Sequence, residues 1–313
     1  MIIAINAAAA GGSGFRKWKR VEESLRASNP PPEMFLLNGS ASTARMIRSG
    51  LDRGETRFVA AGGDGTVNTL LNALLFISTP SQRRTLLLGA IGLGSSNDFH
   101  KPSIPGSMID GVPARINFHD APLRDIGTVS FETAGGFQTR YFIVNASIGI
   151  TAEANLLFNR PGRVLEALKR TCTPAAILFA ALKTIRSYRN IGITLRRPGR
   201  AERDLQLTNL ALLKNPNVSG SFRYDAIIPP DDGLLHAYLF TGMNKPRLLR
   251  LLLALSKGLT PPAMRGPGIE SFNESSLIVA AARPFALEFD GEVVATSFAQ
   301  FGVLHRHLRV CRS

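Results

Sequence analysis

The sequence predicts a two-part protein, α/β followed by mostly β, on three observations. Short apolar runs alternate with helix-patterned segments over about the first hundred residues, which argues for a parallel sheet. Extended segments dominate past Pro122. Glycine turns directly follow two of the early apolar runs.

In order, residues 1–5 read as a strand, 6–14 as a small-residue loop and 16–27 as a basic helix that ends before Pro30 to Pro32. Residues 34–37 read as a strand, and 42–53 as a helix stopped by Gly54. A strand at 58–61, a turn at 62–66 and a helix at 67–76 follow, with Val67, Leu70, Leu71, Leu74 and Leu75 on one face. Residues 86–91 form another strand and enter the second glycine turn. Past the boundary near 122, residues 125–132 and 137–150 read as a hairpin continuing into one long strand. Further strands are expected at 191–196, 205–213, 234–240, 276–281, 285–289 and 301–310. Helices are expected at 164–189, broken near Pro174, and at 246–257.

The 313 residues are 44% hydrophobic and 19% charged, which is globular rather than disordered composition. Two distant cysteines, Cys172 and Cys311, support neither a disulfide framework nor a cysteine zinc site, so a reducing, cytosolic setting is expected. The apolar start is too short for a secretory signal, and the apolar stretches at 175–182 and 248–255 fall short of the ~18–20 residues that span a bilayer.

Lys plus Arg outnumber Asp plus Glu by 37 to 23, a net charge of +14. Residues 160–203 hold a net +9 of it, interleaved with apolar residues. Such a segment suits an anionic lipid surface, and a solvated face over core leucines is the plain alternative. Nucleic acid is not expected, because four Tyr and one Trp offer little stacking surface and no nucleic-acid motif accompanies the charge.

The first turn is Gly62-Gly63-Asp64-Gly65-Thr66, between a strand and a helix, where backbone N–H groups and the helix dipole converge on an anion. It is neither a P-loop nor G-x-G-x-x-G. A tight turn capped by Thr66 is the structural alternative. The second turn, Gly92 to Phe99, also ends a strand, so both would line one cleft.

These residues resemble the diacylglycerol kinase-like lipid kinases, the family of the diacylglycerol kinases, sphingosine kinases and their bacterial relatives. The resemblance rests on the G-G-D-G-T turn with its flanking strand and helix, and on Gly94-Ser95-Ser96-Asn97-Asp98-Phe99. It continues in order through Asp125-Ile126-Gly127, the stretch around Asn145, Pro229 to Leu235 and Asp290-Gly291-Glu292. It implies an N-terminal Rossmann-like nucleotide domain over 1–121, with segment 300–313 a candidate addition, then a β-sandwich with inserted helices over 122–299. The active site would lie in the cleft between them.

The implied activity is transfer of the γ-phosphate of ATP to a lipid hydroxyl, diacylglycerol-like or sphingoid-like, with Mg²⁺, by a cytoplasmic enzyme peripherally bound to membrane. Gly62, Gly63, Asp64, Gly65, Thr66, Val67, Asn68, Thr69, Gly94, Ser95, Asn97 and Asp98 would form the nucleotide site. Asp232, with the backbone carbonyls of Pro229 and Leu234, would hold magnesium. Glu292 would accept the proton with Asp290 beside it, and Asp64 competes for that role. The alternatives are a soluble-metabolite kinase of the NAD kinase type, which shares the G-G-D-G-T turn, and a catalytically weak nucleotide- or lipid-binding module.

The chain departs from the family at Asn6-Ala7, where a proline is usual, at Thr69, where Glu is common, and at Gly92 and Ser95 of the second turn. His305 and His307 read as a surface pair rather than metal ligands.

Overall fold

Ile2, Ile3, Ala4 and Ile5 are all buried, and they form the central parallel strand β1 (Ile2–Ile5). The computed structural model describes residues 1–102, 105–119, 121–259 and 266–312. It divides into two units, Met1–Asp125 with Arg306–Ser313, and Ile126–His305.

In the first unit β1 is followed by α1 (Ser13–Arg26), β2 (Glu33–Leu36), α2 (Ser40–Asp52), β3 (Arg57–Gly62), α3 (Asp64–Ile77), α4 (Pro80–Arg83) and β4 (Leu87–Gly92). The four strands pair in parallel in the order β2-β1-β3-β4. Parallel strands covered on both faces read as unbroken apolar runs, as β1, β3 and β4 do. Trp18, Val21 and Leu25 of α1 pack in one cluster with Ile3, Ile5, Val59, Ala61 and Ile91. The five leucine and valine positions expected on the inner face of α3 are all buried.

The far edge of β4 is shared. Ala90 and Ile91 pair antiparallel with β6 (Val112–Arg115), itself paired with β5 (Met108–Ile109), while Leu87 and Leu88 pair parallel with Arg309 and Val310. The chain leaves this unit after Asp125 and returns at Arg306, and an Arg306 N–H to Asp125 Oδ1 bond of 2.9 Å ties those two points together.

The second unit contains β7 (Leu123–Thr133), which starts at the end of the first, then β8 (Gly136–Phe142), β9 (Asn145–Gly149), α5 (Ile150–Asn159), α6 (Arg163–Thr171) and α7 (Thr173–Ser187). There follow β10 (Ile191–Arg196), β11 (Arg203–Leu213), β12 (Asn217–Val218), β13 (Phe222–Arg223), β14 (Leu235–Thr241), α8 (Lys245–Ser256), β15 (Ile269–Glu274), β16 (Ser276–Phe289) and β17 (Glu292–Val310). Within the unit the strands run β15-β14-β11-β10-β16-β17, with the β7-β8 hairpin on β17. β9 lies between β11 and β16 in line with β10. One apolar cluster, including Phe131, Phe142, Leu210, Leu239, Leu287 and Phe301, fills the interior.

Four expectations change. Residues 137–150 are not one strand: β8 pairs with β7, and β9 pairs with β11 and β16. The change of partner falls at Ile143 and Val144, whose N–H groups bond to the Asp290 carboxylate. The helical stretch at 164–189 breaks as expected into two helices, with Pro174 in the first turn of α7 where a missing N–H costs nothing, but α5 before them was not foreseen. Segments 276–281 and 285–289 form one strand, β16, whose register slips between Ala280 and Phe285. Thr66 is not a cap, because α3 begins at Asp64 with Gly63 in the capping position.

Candidate functional site

The glycine turns of the first unit touch backbone to backbone. A Cβ on Gly94 would stand 2.4 Å from the Gly63 Cα, and one on Gly63 would stand 3.2 Å from the Gly94 Cα. Leu93 and Gly94 both direct their N–H groups to the Gly62 carbonyl, at 2.8 and 3.3 Å. A Cβ on Gly62 would fall 2.2 Å from Thr66 Oγ1, so glycine there lets the buried threonine fold back on the strand end. Gly65, in the first turn of α3, has nothing within 4 Å of a would-be Cβ. Packing explains three of these glycines and leaves Gly65 unexplained.

Side chains fasten the turns. Asp64 Oδ1 accepts the Phe99 N–H at 2.9 Å, linking the first turn to the second. Asn97 adopts φ 49°, accepts the Gly94 N–H and donates to the Gly92 and Gly94 carbonyls at 3.1 Å, so its amide shapes the turn. Asn6 Nδ2 donates to Thr66 Oγ1 at 3.0 Å, a link that survives the Asn6-Ala7 departure. Asp98 is buried and paired with Lys101 at 2.7 Å.

Val67 and Asn68 are buried, and Asn68 Oδ1 accepts from Asn72, so neither side chain opens onto the turns' surface. Thr69, by contrast, is exposed and donates to the Gly65 carbonyl at 2.8 Å, and Ser95 is exposed. Sequence reasoning missed Lys17, whose Nζ donates to the Gly94 carbonyl at 3.1 Å. The signal was present as a basic helix directly after the first strand. His100 is buried behind the second turn; burial, with the Arg115 charge, pushes its pKa down to about 3.

In the second unit Asp290 and Gly291, at φ 47° and 89°, form the two-residue turn between β16 and β17. The Asp290 carboxylate is buried and accepts the N–H groups of Ile143, Val144 and Asn145 at 2.8, 2.9 and 3.0 Å. These three bonds make it a brace for the chain at Ile143 to Asn145. Glu292, the first residue of β17, is exposed. A third carboxylate went unnoticed: Glu288 is 1% exposed, accepts from Ser147 Oγ at 2.8 Å and takes the Gly291 N–H at 2.7 Å.

The expected magnesium ligands do not fit a divalent ion. Asp232 Oδ2 lies 2.7 Å from His236 Nε2, and Oδ1 accepts the Leu234 N–H at 3.1 Å and Lys214 Nζ at 3.3 Å. Lys214 Nζ also donates to the Leu234 carbonyl at 2.9 Å, and Pro229 is exposed on the loop before them. Burial alone would raise the Asp232 pKa, but the His236 and Leu234 bonds and the Lys214 charge outweigh it and hold the carboxyl below its ordinary value. Among the described residues no cluster of three His, Cys, Asp or Glu side chains could hold a metal.

The two histidines do not form a pair. Arg306 between them takes φ 46°, which breaks the alternation of β17. His305 is exposed at the end of the second unit, and His307 is half-buried in the first with its Nε2 out of contact with water.

A parallel α/β sheet with two joined glycine turns at its strand ends, one opening a helix, is an arrangement whose backbone N–H groups can meet an anion. Residues 1–121 match the model of the diacylglycerol kinase catalytic domain family, so the motif resemblance is borne out. The chain is 28% identical over 211 residues to "Probable lipid kinase YegS-like" of Chromohalobacter salexigens, a match covering 67% of this chain and 61% of that protein's length. It is 24% identical over 257 residues to the diacylglycerol kinase of Staphylococcus haemolyticus, covering 81% and 70%. The crystal structure of a diacylglycerol kinase from Bacillus anthracis superposes with a TM-score of 0.69 at 14% identity, covering 100% of this chain and 96% of that one. That likeness extends the shared mixed α/β fold over both units.

Proposed function

We propose that this protein is an ATP-dependent lipid kinase that transfers the γ-phosphate to a lipid hydroxyl. The observation that carries the reading is the open space over Gly65 beside the joined glycine turns. A glycine that packing does not require, at a helix N-terminus, is what close approach of a phosphate demands. The relatives' names, lipid kinase and diacylglycerol kinase, favour a lipid acceptor over a soluble metabolite.

In this reading the backbone of Gly62 to Thr66 and of Gly94 and Ser95 meets the phosphates, with the Thr69 hydroxyl and Lys17 beside them. Asn97 and Asp98 hold the second turn in shape. Phosphoryl transfer consists mostly of positioning and charge neutralisation, so magnesium would enter with the nucleotide's phosphates rather than at Asp232. The lipid hydroxyl gives its proton to the exposed Glu292 carboxylate as its oxygen attacks the γ-phosphorus and ADP leaves. Asp290 and Glu288 hold the hairpin that carries Glu292. The finer architecture belongs to the same proposal: a Rossmann-like domain over 1–121 with the C-terminal segment, and a β-sandwich over 122–299.

A cytoplasmic enzyme peripherally bound to an anionic membrane is also proposed, on a narrower surface than the whole of 160–203. Arg196, Arg197 and Arg203 are ion-paired with Glu202, Glu270 and Glu274. Residues 160–189 carry seven cations against Glu166, although the Arg170 side chain lies outside those described. There Val164, Leu178 and Leu182 are exposed among Arg163, Lys183 and Arg186, and apolar residues beside cations suit a lipid interface. Among the described residues no helix is long and apolar enough to cross a membrane.

The test is labelled-phosphate transfer from ATP with magnesium to diacylglycerol, sphingoid base, a total lipid extract and NAD. Label in a lipid and none in NAD is expected; label in NAD alone, or in nothing, would overturn the reading.

A further inference from the structure

The oxygens that the family resemblance assigns to a divalent ion are in contact with a cation of the chain's own. Lys214 follows β11, and its side chain, 2% exposed, reaches the loop that leads into β14. There Nζ meets the Leu234 carbonyl at 2.9 Å and Asp232 Oδ1 at 3.3 Å, two of the three groups named for magnesium. The other carboxylate oxygen is taken by His236 Nε2 at 2.7 Å.

Magnesium and calcium ask for about six to eight oxygens at roughly 2.0–2.6 Å. A lysine ammonium is a compact cation that gives hydrogen bonds to the same oxygens at longer range. An ion seated on Asp232 Oδ1 and the Leu234 carbonyl would stand against Nζ of a side chain that is itself almost fully buried. One positive charge fits, and the chain supplies it.

We propose that Lys214 is a built-in substitute for a divalent ion, so that the Asp232 loop of this protein is held without metal. The inference concerns what holds the loop and is independent of whether the protein is a kinase.

The experiment is thermal unfolding of the full chain without nucleotide, in excess EDTA and in millimolar MgCl₂ or CaCl₂. The wild type should melt at one temperature in all three, within about 1 °C. Lys214→Met should melt lower in EDTA and recover by at least about 3 °C with either metal. The double variant with Asp232→Asn should not recover. A folded Lys214→Met protein that ignores both metals would show that these oxygens are no cation site and would overturn the proposal. Should Lys214→Met fail to fold, Mn²⁺ binding to the wild type, read by electron paramagnetic resonance, decides. A bound Mn²⁺ that Asp232→Asn displaces overturns the substitution, and the absence of such an ion supports it.

Discussion

Gly65→Ala separates phosphate approach from packing. The Gly65 Cβ direction is open to 4 Å, and the residue lies in the first turn of α3 outside the left-handed region. Alanine in a helix is favoured over glycine by ~0.5–1 kcal/mol, so the variant should be as stable as the wild type or gain up to ~1 kcal/mol. If the backbone there meets a phosphate, the added methyl blocks the approach, and loss of a single positioned donor costs ~100-fold or more in turnover in comparable sites. We expect unchanged or improved urea stability with ATP affinity and phosphoryl transfer down at least ~10-fold. Gly94→Ala is the contrast. Its Cβ would meet Gly63 Cα at 2.4 Å, Asn97 Oδ1 at 2.9 Å and Gly63 N at 3.2 Å, two of them backbone atoms that cannot step aside. That variant should lose ~1–3 kcal/mol of stability, by the usual cost of overpacking. Wild-type nucleotide affinity and turnover in Gly65→Ala would refute the placement of the phosphates.

Three further outcomes are expected. Glu292→Gln should cut turnover by ~100-fold or more with ATP affinity unchanged, since the exposed carboxylate is assigned only the proton; Asp64→Asn should mainly weaken ATP binding, and the reverse pattern in paired binding and rate measurements would transfer the base role to Asp64. The buried His100, ordinarily titrating at 6.5 and held at about 3, makes stability fall as the pH drops from 6.5 towards 3, because over that range the unfolded chain takes up a proton that the folded chain refuses. The slope should approach ~1.4 kcal/mol per pH unit for that group, and His100→Gln should flatten it in urea titrations across pH 4–7; equal slopes would show that another group sets the acid limit.

How much was legible depended on whether the physics was local. Strands β1 to β4 and helices α1 to α3 of the first unit follow from apolar periodicity and glycine stops, so they stand within a few residues of where the pattern puts them, whereas α4, β5 and β6 carry no such pattern. The Asp290-Gly291 turn is also local, because two consecutive residues of positive φ suit that pair. The site's glycines could be found because missing side chains at a strand end are visible in the letters alone. Their contact could not be found, because Gly63 and Gly94 are brought together by the pairing of β3 with β4.

Amino-acid order by itself determined the two glycine turns, the resemblance they carry, and the carboxylates worth examining. Tertiary structure decided what each carboxylate does. Asp290 became a brace because the chain changes strands at Ile143 to Asn145, 145 residues or more away from it. Asp232 met Lys214 across 18 positions, and Glu288 met Ser147 across 141. A carboxylate's role depends on which donors surround it, and those donors arrive through long-range strand pairing, which leaves no periodic mark near the acid itself.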